Sequence, residues 1–293
     1  MKGYGSIREK IIRLGRYGQK SQYIEVDIIP NIDRGRSRRK SRRKRRFETE
    51  PKQKVLNTKR AIRYLFQIIK CNFTSEDYRL ELTYSEKFFP ESEEQMLRTV
   101  KNYIDRVNRE REKAGLPKAK YVCIHEYGKK NNRMHHHMLI SGGLDRDKME
   151  ELWCDRQRKG QKTRERLGYV NCDRLQFTKA GIEGLSFYIT KDMANNRQTE
   201  GQLTIEELMG EKPKGKRRWM QSRGLTRPWS NPPNDYKYSR KNVEDIVKMP
   251  PDCENVKRLF ERIYKGYELD KCEYEYNEYL GQWSIYLKMH LII

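Results

Sequence analysis

The chain is short of negative charge. Its 41 Asp and Glu stand against 64 Lys and Arg, a formal net charge of +23. That balance calls for a polyanionic partner, and nucleic acid leads because phosphate neutralisation drives binding. A membrane is the competitor, but no apolar run approaches the ~20 residues of a bilayer span. Residues 1–20 are too basic and glycine-rich for the apolar core of a signal peptide. The six cysteines (Cys71, Cys123, Cys154, Cys172, Cys253, Cys272) are scattered without CxxC spacing, which argues against a zinc knuckle and for reduced thiols in an intracellular setting. A GxxxxGK[ST] phosphate loop is also missing, so no fused helicase motor is expected. No internal repeat is visible. With 293 residues the chain can bury one substantial core plus extensions.

Histidine is scarce too, at five residues, but four of them fall within residues 121–140, YVCIHEYGKKNNRMHHHMLI. Two runs rich in β-formers flank Gly128, Lys129, Lys130, Asn131 and Asn132, the pattern of a hairpin. A turn centred between Lys130 and Asn131 sets Glu126 opposite His135 and Ile124 opposite His137. Side chains alternate along a strand, so Glu126, His135 and His137 share one face. Two imidazoles and a carboxylate with open positions suit a divalent ion acting as a Lewis acid: Mg²⁺ or Mn²⁺, with Zn²⁺ also able to bind. The plain alternative is a cluster of surface histidines with no task. His125 and His136 meet on the opposite face as a rival pair that lacks a facing carboxylate, and His136 is expected to pack against helices.

Around this hairpin the chain alternates strands and helices. Residues 21–30 suggest a short strand. Residues 34–46 carry ten basic residues in thirteen and no acid, an extended, self-repelling arm that is either a solvated tail or a phosphate-binding segment. Asn57 is the expected cap of a helix with Ala61, Ile62, Leu65, Phe66 and Ile69 on one stripe. YRLELTY from Tyr78 alternates as a strand, with Thr83 on the face of Arg79 and Glu81. Ser92 with Gln95 predicts a capping box before a helix that buries Met96, Leu97, Val100, Ile104 and Val107. A helix near Asp145 turns Met149, Leu152 and Trp153 inward, and residues 156–167 form a polar, basic loop. Residues 168–176 suggest a strand, and a helix from about Lys179 buries Ile182, Leu185, Ile189 and Met193. The segment from 212 to 229 mixes cations with Trp219 and Trp229, which suits a single strand or a basic linker whose tryptophans pack on the core. Two helices near 240–248 and 254–265 and a terminal β-hairpin follow. The order implies an α+β fold, an antiparallel sheet with helices packed on it. The expected division is a basic N-terminal arm over 1–56, a catalytic domain over 57–200, and a basic linker with a C-terminal accessory region over 201–293.

Tyr188 and Lys191 lie one helical turn apart, on one face. A tyrosine hydroxyl with a reference pKa of ~10 needs a polarised phosphate or a nearby cation to attack, and Lys191 offers the cation. The sequence LTYS at residues 82–85, Glu126 with His135, His136 and His137, and YITK at residues 188–191 together resemble the three motifs of HUH endonucleases. More closely, residues 57–229 are similar to rolling-circle replication initiators (Rep) of plasmids, mobile elements and small phages.

The resemblance implies a five-stranded HUH core (ferredoxin/RRM-like). It implies Glu126, His135 and His137 as ligands of Mg²⁺ or Mn²⁺, Tyr188 as nucleophile, and Lys191 as its partner. Thr83 and Tyr84 belong to the first motif, in contact with DNA or in support of the site. Arg133, Lys216, Arg217, Arg218 and Trp219 are further candidates for nucleic-acid contact. Where some relatives place a second tyrosine, this chain has Asp192, which favours a single-tyrosine mechanism. The implied partners are single-stranded or cruciform origin DNA, with a host helicase and polymerase and no membrane. The implied setting is a bacterial cytoplasm. A relaxase or single-stranded DNA transposase of the same superfamily, or a non-catalytic nucleic-acid-binding protein, are the alternatives.

Overall fold

The computed structural model describes residues 6–16, 18–31, 51–127, 134–157, 159–176 and 219–292. Its elements in chain order are β1 (Ile7–Leu14), β2 (Tyr23–Pro30), α1 (Pro51–Asn72), β3 (Tyr78–Thr83), α2 (Glu93–Lys113), β4 (Tyr121–Tyr127), β5 (Met134–Ile140), α3 (Arg146–Glu151), β6 (Val170–Arg174), β7 (Met220–Gln221), β8 (Trp229–Ser230), α4 (Arg240–Ile246), α5 (Glu254–Ile263), β9 (Tyr267–Asn277) and β10 (Gln282–Leu291). The strands form two five-stranded sheets, β8-β1-β2-β10-β9 and β6-β3-β5-β4-β7. Every pairing is antiparallel. The fold is α+β, as expected, but with two sheets in place of one.

These sheets belong to two compact units. One gathers the described residues of 1–60 and 226–293, the other those between 61 and 225. The expected boundary at 56/57 falls inside α1, and the stretch read as an arm holds β1 and β2. β2 appears where residues 21–30 suggested it. β1 was not foreseen, because IREKIIRL breaks the two-residue alternation of a half-buried strand. α1 also begins at Pro51 and not after Asn57. Proline suits a first helical position, where its missing N–H loses no bond and its φ is already helical.

In the unit between 61 and 225, α1 covers one face of the sheet. Ile62, Leu65, Ile68 and Ile69 pack with Val122, Ile124 and Leu139. The other face meets α2 and α3, with Leu80, Leu82, Met138 and Cys172 against Met96, Val100, Tyr103, Val107 and Met149. Burying each such aliphatic chain stabilises the fold by about 1.5–3 kcal/mol. Ser92 caps α2 by accepting the Gln95 N–H. The reciprocal bond of the expected box goes one residue earlier, from the Glu91 N–H to the Gln95 side chain. At the other end of α2 the buried Arg111 guanidinium donates to the carbonyls of Pro117 at 2.7 Å and Ser141 at 3.2 Å. That clamp fixes the helix to both ends of the β4–β5 hairpin.

In the other unit, Ile24, Val26, Ile28, Ile285, Leu287 and Met289 meet Val243, Val256 and Phe260 of α4 and α5. The buried Glu9 carboxylate accepts from Lys237 Nζ at 2.6 Å and from the Tyr264 hydroxyl at 2.5 Å. A buried carboxylate needs such partners, since an unpaired one carries a large desolvation penalty. The terminal hairpin, expected from its alternation, is β9–β10.

Candidate metal and nucleic-acid site

The site begins with the register of the β4–β5 hairpin. Glu126 pairs with His135, Ile124 with His137 and His125 with His136, the alignment that the turn residues implied. β3 extends each row, Thr83 opposite His135 and Glu81 opposite His137. Cross-strand partners share a face. One face therefore carries Glu126, His135 and Thr83 in one row, and Ile124, His137 and Glu81 in the next. The following row holds Val122, Leu139 and Arg79, of which Val122 and Leu139 join Ile124 under α1. The two histidines lie where that apolar cover gives way to polar side chains.

His135 and His137 are half-buried, with ring centroids 6.1 Å apart and planes at 87°. Rotation of the side chains lets one nitrogen of each meet a common ion, and neutral imidazole with carboxylate is a donor set that divalent metals accept. The residues present fit such a group. The backbone register supplies Glu126 as a carboxylate position opposite His135. It adds Glu81, which the sequence placed on this face without giving it a role.

The opposite face of the same hairpin is a closed network. His136 is 0% exposed. Its Nε2 lies 2.8 Å from the Tyr84 hydroxyl and its Nδ1 lies 2.9 Å from His125 Nδ1. Tyr84 and Trp153 meet the His136 ring edge-on, at 5.3 and 6.1 Å between centroids. Burial lowers the His125 pKa to about 4. His136 falls well below the usual imidazole range, first through burial and then through the neighbouring histidines. Both rings are thus neutral near pH 7. Burial likewise pushes the Cys123 thiol far up.

Cys123, His125 and His136 offer ligand atoms within 4.8 Å of one another, a possible metal-binding cluster among the described residues. Their closest pair is already at hydrogen-bond distance, so an ion here would displace a proton shared between two imidazoles. Tyr84, a candidate for DNA contact, is 5% exposed and buttresses the hairpin from within. His136 packs inward as expected.

Thr83 is also engaged. Its carbonyl, which a regular ladder would give to the next strand, accepts from Trp153 Nε1 at 2.7 Å. Its hydroxyl takes over that duty, accepting from the Tyr169 N–H at 3.0 Å and donating to the Tyr169 carbonyl at 2.9 Å. The Thr83 N–H donates to the same carbonyl at 2.9 Å. Gly168 permits this approach, because a Cβ there would stand 2.7 Å from the Thr83 carbonyl carbon and 2.8 Å from Tyr84 Cα. Gly168→Ala should lower unfolding free energy by about 1–3 kcal/mol, the usual cost of forcing atoms into filled space. Urea denaturation would read it, and an unchanged midpoint would mean that the backbone yields freely.

Trp219 packs partly buried against the α1 core, with its Nε1 donating to Gln221 at 2.7 Å. Tyr188, Lys191, Arg133, Lys216, Arg217 and Arg218 lie outside the described residues, as does the Glu126 side chain. Among the described residues, no helix is long and apolar enough to cross a membrane.

Residues 77–193 match a family model described as replication-associated protein, of the ORF2 type, a description consistent with the rolling-circle initiators that the motifs resemble. The match begins just before β3 and ends two residues beyond Lys191, so it spans all three motifs. No curated protein and no solved structure matches the chain.

Proposed function

From the premise that residues 77–193 carry a segment of the ORF2-type replication-associated family, we propose that the protein initiates rolling-circle replication by nicking and rejoining single-stranded origin DNA. The observation that carries this reading is the β4–β5 register, which sets Glu126 opposite His135 on the face that also holds His137. A divalent ion, Mg²⁺ or Mn²⁺, would be held by Glu126, His135 and His137 and would supply Lewis-acid polarisation of a phosphate oxygen.

The Tyr188 oxygen attacks the scissile phosphorus as its phenolic proton departs to solvent. The bond to the 3′-oxygen breaks and that oxygen takes up a proton, leaving a 5′-phosphotyrosyl link and a free 3′-hydroxyl that primes a host polymerase. Lys191 places its cation beside the phenolate or the phosphate. One phosphoester replaces another, so the step runs backwards to rejoin ends. Unwinding falls to a separate helicase, and the setting is a bacterial cytoplasm. The excess of cations, +23 over the whole chain, serves the hold on DNA.

The test is to incubate the protein with Mn²⁺ and single-stranded fragments of its own replicon, then to look for an adduct on denaturing gels. Peptide mapping should place the DNA on Tyr188. Cleavage without any protein–DNA link would reject the phosphotyrosyl route, and an adduct retained in Tyr188→Phe would move the nucleophile elsewhere.

A further inference from the structure

Tyr169 presents an unusual combination, a backbone held on both sides and a ring left in solvent. Its N–H and carbonyl are both bonded to Thr83, and Gly168 is needed for the two chains to come so close. Yet its ring is 71% exposed. Leu82 pairs with Val170, so Tyr169 continues the ladder opposite Thr83. Val170 turns into the core beneath α2, and Tyr169, the next residue, emerges on the other face. That is the face of His135, in the same row. Two strand spacings separate Tyr169 from His135, roughly 10 Å between Cα atoms, a distance spanned by about one or two nucleotides of an extended single strand.

The segment that leads into Tyr169 is cationic. Residues 155–166 leave and return through the Cys154–Arg166 bridge and a 2.8 Å bond from the Asp155 N–H to the Glu165 carbonyl. Arg156, Lys159, Lys162, Arg164 and Arg166 are exposed on this excursion. Its Glu165 is occupied by Lys87 at 2.6 Å. Single-strand binding combines cations that follow the backbone with aromatic rings on which bases stack.

We propose that Tyr169 is a stacking platform for one base beside the scissile phosphate, with the 155–166 excursion holding the adjoining phosphates of the single-stranded DNA. This rests on the nicking reading for its substrate, and on the Thr83–Tyr169 clamp for its geometry. The clamp uses only backbone atoms of Tyr169, so Tyr169→Ala leaves it intact.

The test uses the full chain with a fluorescein-labelled 15-mer of oligothymidylate, since stacking tolerates any base. Tyr169→Ala should weaken binding about tenfold, while Tyr169→Phe stays within about twofold of the parent. In an origin strand carrying 2-aminopurine at each position around the cleavage point, one or two positions should lose quenching in Tyr169→Ala alone. Arg164→Ser with Arg166→Ser should lower the slope of log affinity against log salt by about 1–2. Unchanged affinity and quenching in Tyr169→Ala, with unaltered circular dichroism, would overturn the platform. If the parent forms its adduct while Tyr169→Ala binds normally, the platform fails and the nicking reading stands. If the parent forms no adduct but Tyr169→Ala loses affinity and quenching, the platform stands and the nicking reading fails.

Discussion

Replacing His135 and His137 together by Ala should slow Mn²⁺-dependent nicking by about a thousandfold or more, since Lewis-acid stabilisation contributes several kcal/mol and each 1.36 kcal/mol is tenfold in rate. The expectation follows from the shared face, where both rings are half-buried and open onto a polar row. Their loss removes two nitrogen ligands without opening the core. Calorimetric titration with Mn²⁺ should lose its binding heat in parallel, while the melting temperature moves little. His136→Ala should give the reverse pattern. It empties space in the core and strands the Tyr84 hydroxyl that now meets His136, so it lowers stability by about 2–4 kcal/mol and leaves metal affinity in the folded fraction near that of the parent. Loss of metal binding on His136→Ala, with retention in the double variant, would mean that the inward face is the working one.

Acid should unfold the protein more steeply than its carboxylates alone would require. His125 has a folded pKa lowered by burial to about 4, against an unfolded value of ~6.5. A depressed histidine pKa means that the unfolded chain binds the proton first. Stability is therefore full above about pH 6.5 and declines as pH falls towards 4, by about 3 kcal/mol for this residue. His136 adds to the loss in the same direction. Urea midpoints measured at pH 7.5, 6, 5 and 4 should fall across that window, and His125→Gln should flatten the decline. Parallel curves for the two proteins would show that His125 titrates normally in the fold.

The hairpin is legible in the sequence because three local signals agree: β-forming runs, a turn-rich centre and a two-residue period. Once the turn is placed, the outward pair His135 and His137 and the inward His136 follow from alternation alone. β3, α2 and α3 are equally plain, each having a clean stripe or a capping side chain. Contacts that depend on tertiary partners are hidden. Nothing near Thr83 announces that Trp153, seventy positions away, takes its carbonyl, so the threonine is reached through its motif and not through its bond to Tyr169. Tyr84 looks available beside Thr83, but strand parity puts it with Leu80 and Leu82 inside the sheet. β7 and β8, at two residues each, are too short to carry any period. They exist because a longer neighbouring strand offers them an edge.

The central position of β2, between β1 and β10, bears on how the chain is made. Tyr23 finds its partner in His290, so on a ribosome the first strands wait for almost the last residues before their sheet closes. The sheet with the histidines draws its strands from the interval between and can form while that outer sheet is still half synthesised. A stop codon shortly before residue 282 would therefore spare the histidine hairpin and strand the first thirty residues, with β2 offering a bare edge to whatever strand comes near. Pulse proteolysis of stalled nascent chains should show protection of the 61–225 interval appearing first, and protection of residues 7–30 arriving only after the C-terminal hairpin has left the exit tunnel.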